Sequence, residues 1–134
     1  MRQWLADRRG ELVEAAFVYP LLILLTVGLF NLSMLGFASM MATNAAHYGA
    51  RMGSVAQRNA AGVAAAAARQ RIAVAPVGDY SVSVQASNAR GGRVTVNVAY
   101  KVPNFFSGLT ALFGVHTPPQ FTGVSTATFR HEGW

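Results

Sequence analysis

Three histidines, five carboxylates and no cysteine are the chain's means for catalysis or metal binding. His47, His116 and His131 lie far apart, and only His131 stands beside a carboxylate, Glu132. There is no G-x-S-x-G elbow, no phosphate-binding P-loop and no H-E-x-x-H pair. Without an acid, base or nucleophile held within reach of one another, the expectation is a protein that is not an enzyme, with no catalytic residue, metal, cofactor or small-molecule substrate. The histidines read as solvated side chains at a loop and near the C-terminus. Zero cysteines exclude disulfides, thiolate metal sites and cysteine nucleophiles.

The residue out of place is Glu14. It sits at the lip of "AAFVYPLLILLTVGLF", four positions after Gly10 and just beyond Arg8 and Arg9. A carboxylate at the edge of hydrocarbon must snorkel to water, take up a proton or meet a cation. Two readings stand. Glu14 reaches the headgroups beside the arginine pair, or it pairs with a positive group of another copy. A cut between Gly10 and Glu11 would supply such a group, the new α-amino nitrogen of Glu11.

The element holding Glu14 is long and apolar. No Asp, Glu, Lys or Arg occurs between Glu14 and Arg51. Ala15 to Ala42 is 28 residues, about 42 Å as a helix against roughly 30 Å of bilayer hydrocarbon. That is too long for the apolar core of a cleavable signal, although "MATNAA" is a weak peptidase site. Arg2, Arg8 and Arg9 precede the run and no equivalent basic flank follows it directly. The N-terminus is therefore expected in the cytoplasm, with the rest outside. The net charge of +6 rests on ten arginines and Lys101. Beyond the run the arginines are scattered without interleaved aromatics, so no nucleic-acid partner is expected.

After Ala42 the chain turns alanine-rich, and one helix is expected from about residue 11 to 72, leaving the membrane in the forties. Pro20 should bend it. Gly49 and Gly53, four apart, make a small-xxx-small face for helix packing, or are simply tolerated there. "APVGD" ends the helix at 75–79. The period then changes to two. Tyr80, Val82 and Val84 alternate with polar residues, as do Val94, Val96, Val98, Tyr100 and Val102, with a turn-rich "ASNARGG" between them. These are two strands of an antiparallel hairpin. "PNFFSGLTALFGVHTPP" reads as a short amphipathic helix or packed loop, and Phe121 to Arg130 as a third strand. The fold class is α+β: a long N-terminal transmembrane helix whose outer half packs on a small antiparallel sheet of about three strands. The expected division is 1–10, a basic leader; 11–45, the transmembrane helix; 46–74, its continuation outside the membrane; and 75–134, the β domain.

"RRGELVEAAFVYPLLILL" resembles the leader of class III prepilins in TadE-like pilus proteins, in which basic residues and a glycine precede a Val-Glu pair and a Leu-Pro-rich run. "NAAHYGARMGSV" and the closing "VSTATFRHE" resemble later segments of that family. The family places its glutamate fifth after the cut with a phenylalanine beside it; here Glu14 is fourth and Ala15 follows. The resemblance implies a pilin-like fold and a minor pilin or pseudopilin, processed by a prepilin peptidase, that assembles or initiates an adhesive tight-adherence (Tad) pilus. It implies the bacterial inner membrane, pilin or pseudopilin subunits as partners, and incorporation into an extracellular pilus as one fate. Glu14 would then set subunit register. The alternative is a membrane-anchored periplasmic binding module that takes no part in pilus assembly.

Overall fold

The computed structural model describes residues 3–112 and 114–132, and side chains from Leu12 onward except that of Leu112. The order is α1 (Gln3–Ser54), α2 (Ala60–Ile72), β1 (Asp79–Ala86), β2 (Arg93–Pro103), α3 (Phe106–Leu112) and β3 (Gln120–Arg130). The three strands form one antiparallel sheet in the order β1-β2-β3, as the alternation predicted. Register puts Val82 against Val98 and Val96 against Ala127. Every second residue of β2 from Val94 to Val98 thus faces the helices and is fully buried.

α1 has 52 residues, about 78 Å of helix. It continues unbroken through Pro20, whose side chain is exposed. Its hydroxyls cost little in an apolar setting, because Thr26 and Ser33 each donate at 2.8 Å to the carbonyl four residues back.

The single helix to residue 72 is overturned. α1 stops at Ser54, and the chain reverses through residues 55–59 before α2 begins. Asn59 makes the reversal. It holds a left-handed conformation, φ 51° and ψ 50°, and its Oδ1 accepts from the Gly62 N–H at 3.1 Å, an N-cap for α2. Ala60 N–H donates to Asn88 Oδ1 at 3.1 Å, tying the turn to the β1–β2 loop. Alanine-rich sequence favours helix on both sides of the break; its position is set by tertiary packing, which outweighs local propensity.

α2 then runs back along α1. A Cβ on Gly49 would stand 2.8 Å from the Ala64 carbonyl oxygen and 2.9 Å from Ala68 Cβ; one on Gly53 would meet Ala64 Cβ at 2.7 Å and Val94 Cγ1 at 2.9 Å. The two glycines let the helices approach until backbone touches side chain, and they do so within the chain. The core is alanine from the helices (Ala42, Ala45, Ala46, Ala50, Ala60, Ala64 and Ala68) against valine from β2. Arg71 of α2 lies over the Tyr48 ring at 4.3 Å, a cation–π contact that helps fix the hairpin. Tyr80 borders this core; its hydroxyl donates to the Val77 carbonyl at 2.7 Å, and burial raises its pKa above the ordinary tyrosine value.

Candidate functional site: the bare helix and its two ends

The domain clothes only part of α1. From Ala38 to Gly53 one face is buried at Ala38, Ala42, Ala45, Ala46, Gly49, Ala50 and Gly53, the three-and-four spacing of a helical stripe. From Leu12 to Phe30 no residue is buried. Phe17 is 78% exposed and Leu25 59%, with Leu21, Leu22, Ile23 and Leu29 in the same state. So large an apolar surface demands a cover.

The bare segment ends at a polar contact. Asn31 is 3% exposed, and its Nδ2 donates to Asn104 Oδ1 at 3.1 Å. The same Oδ1 accepts from the Phe106 N–H at 3.0 Å, and Asn104 Nδ2 donates to the Pro118 carbonyl at 2.7 Å. Asn104 therefore satisfies the start of α3 and holds it on α1. Below this pair Phe106 lies against Gly28, where a Cβ would come within 2.8 Å of the ring, and Phe105 stacks obliquely on Phe30 with centroids 6.0 Å apart. The expected amphipathic segment is thus a foot of the domain, seated on α1 where the bare stretch stops.

Glu14 stands at the other end of that stretch, exposed on the helix surface. Asn31 is 17 positions further on, about 26 Å along the axis and close to the thickness of bilayer hydrocarbon. Gly10 and Glu11, the expected cleavage point, lie within the helical backbone of α1; beyond the backbone they fall outside the described residues. Pro20 faces outward from the bare segment. Gly49 and Gly53, expected as a packing face, are occupied by α2 and β2 and so are closed to another subunit.

The histidines separate. His47 is exposed and meets the Phe129 ring edge-on, centroids 6.3 Å apart. His116 is exposed after α3. His131, expected to be solvated, is 3% exposed, with Nε2 2.8 Å from the Ala56 carbonyl. That contact fixes Nε2 as the protonated nitrogen and clamps the α1–α2 turn. His131 N–H also donates to the Gly92 carbonyl, and Glu132 N–H to that of Ser54. Nothing local in "FRHEG" distinguishes a buried histidine from a solvated one. Among the described residues no three His, Asp or Glu side chains converge as for a metal.

Residues 12–51 match the sequence model of the TadE-like protein family. The likeness lies in the long apolar helix and does not extend to the sheet. The match covers the bare segment and ends in the last turn of α1. It supports membrane anchoring and an association with Tad pilus systems, as the sequence resemblance implied. No curated protein and no solved structure matches the chain. The sheet attached to this TadE-like helix is accordingly read from its own geometry.

Proposed function

We propose that the protein is a minor pilin or pseudopilin that assembles or initiates an adhesive Tad-type pilus. The observation that carries this reading is the TadE-like helix left bare from Leu12 to Phe30, with Glu14 at one end and the folded domain closing the other. The domain's foot at Asn31 supports a span of about Glu14 to Asn31, with the helix leaving the bilayer near residue 30 where the sequence alone suggested the forties. Before assembly, acyl chains of the inner membrane solvate the bare surface, with the N-terminus cytoplasmic and the domain outside. During assembly, neighbouring helices replace the lipid. The driving force is tight packing, since both surroundings are dry.

Glu14 gives that exchange its register. In a helix bundle its carboxylate needs a cation, because an uncompensated charge inside a protein is strongly destabilising. A prepilin peptidase cutting after Gly10 exposes the amine of Glu11, which a neighbour's Glu14 can neutralise. The pairing is satisfied at one axial offset only.

The test is the intact mass of the membrane-extracted protein from cells with and without a prepilin peptidase. A peptidase-dependent start at Glu11 is expected. Met1 retained in both strains refutes the processing step and leaves a membrane-anchored binding module. Glu14→Gln should insert into the membrane normally and reduce pilus number; normal piliation removes the register role.

A further inference from the structure

Five of the arginines scattered in sequence lie on segments that the fold brings to one end of the domain. Arg51 is in the last turn of α1, Arg58 in the α1–α2 turn, Arg90 in the β1–β2 loop, Arg93 opens β2 and Arg130 ends β3. The contacts from Ser54, Ala56 and Ala60 to Glu132, His131 and Asn88 hold these segments together at the end of the domain remote from Glu14. Within this group Arg93 is directly opposite Arg130 across the β2–β3 ladder. Opposed strand residues have their Cβ atoms about 5 Å apart, and like charges so placed repel.

The pair is held in a built setting. Gly91, φ 77°, has its N–H bonded to the His131 carbonyl at 3.0 Å, and the Arg130 guanidinium lies over it, Nη2 3.0 Å from where a Cβ would stand. A cleft of about 390 Å³ is lined by Gly91, Arg93, Thr128, Phe129 and Arg130. A second of about 430 Å³ shares Gly91 and Arg130 and adds Arg90, His131 and Glu132, the one carboxylate lining either cleft.

We infer that this end of the domain binds phosphate, with Arg93 and Arg130 gripping one phosphate group and Arg90 reaching a second. A planar carboxylate matches a single guanidinium fork, whereas the oxygens of a phosphate accept from two forks on different sides. The bound anion would also relieve the Arg93–Arg130 repulsion. This inference does not depend on pilus assembly.

The full chain, held in phosphatidylcholine nanodiscs, would be titrated with inorganic pyrophosphate by calorimetry and separately mixed with phosphatidylglycerol vesicles. Saturable pyrophosphate binding identifies a free phosphate ligand; capture on the vesicles without it identifies a lipid headgroup. Replacing both Arg93→Gln and Arg130→Gln should weaken binding about a hundredfold, roughly tenfold for each charge-assisted contact. The same change should leave the ligand-free unfolding midpoint unchanged or raised, while Arg69→Gln, on α2, leaves binding as it was. Absence of saturable binding to either probe overturns the inference. So does a double variant that binds like the parent, and one with a lowered midpoint and unchanged affinity assigns the arginines to structure alone.

Discussion

Two stretches of α1 are built from different residues and stand in different surroundings. Leu12 to Phe30 is rich in leucine, with valine and phenylalanine, and its surface is bare. Ala38 to Gly53 presents alanine and glycine to the sheet and to α2, and that face is closed. Side-chain size separates the bare surface of the first from the buried face of the second. Large side chains suit lipid, which moulds itself around any shape. Small ones suit a protein neighbour, because they bring backbones and the valines of β2 within contact distance. One helix thus specifies an anchor and a docking strip in succession.

The sharpest way to break this contrast is chemical access, since the chain has no cysteine of its own. In sealed vesicles a water-soluble maleimide should leave Leu22→Cys at background and label Met52→Cys fully, a difference of orders of magnitude in rate because the thiolate forms only in water. Phe37→Cys decides the boundary. Phe37 is 39% exposed, six residues past Asn31, and it should label if the bilayer ends near residue 30. Protection of Phe37→Cys would support a span reaching the forties and refute the exit near residue 30.

What could be read from sequence follows from the same difference. The strands were legible because alternation marks a sheet with one covered face, and Val94, Val96 and Val98 obey it. The long helix was legible from its uncharged run. Its end was not, because "SVAQRNAAG" contains no proline and its turn rests on one asparagine in a left-handed conformation; Asn59 followed by Gly62 was the available signal. Of the candidate site, Glu14 and its place at the lip were visible. His131, the Asn31–Asn104 pair and the arginine group join residues distant in sequence, so no local pattern announces them.

The packing half can be broken directly. Gly53→Leu drives a branched side chain into Ala64, Val94 and the Ala60 carbonyl, all within 3.0 Å of the first added carbon. Overpacking of this kind costs about 3 kcal/mol or more, as backbone cannot swing aside like a side-chain tip. Denaturant unfolding in detergent should show that loss. Leu22→Ala, in the bare half, should leave the midpoint of the domain where it was. Equal destabilisation by both variants would mean that the halves are not distinct environments.

The smallest effect belongs to the contact where the halves meet. Asn104→Ala removes the acceptor shared by Asn31 Nδ2 and the Phe106 N–H, and the donor to the Pro118 carbonyl. Asn31 then keeps a buried amide with one weak partner, the Phe105 N–H at 3.4 Å. A buried polar group left unpaired costs roughly 1–3 kcal/mol, so about 2 kcal/mol is expected, most of it confined to α3. Amide hydrogen exchange checks where it falls. Residues 105–111 should exchange faster in the variant, while Val94 to Val98 at the sheet centre stay protected. If the sheet centre loosens as much as α3, the asparagine pair supports the whole domain, and the foot is not a separable attachment to the bare helix. If α3 alone loosens, the domain grips its anchor through two independent faces, alanine against valine above and the asparagine pair with its flanking phenylalanines below.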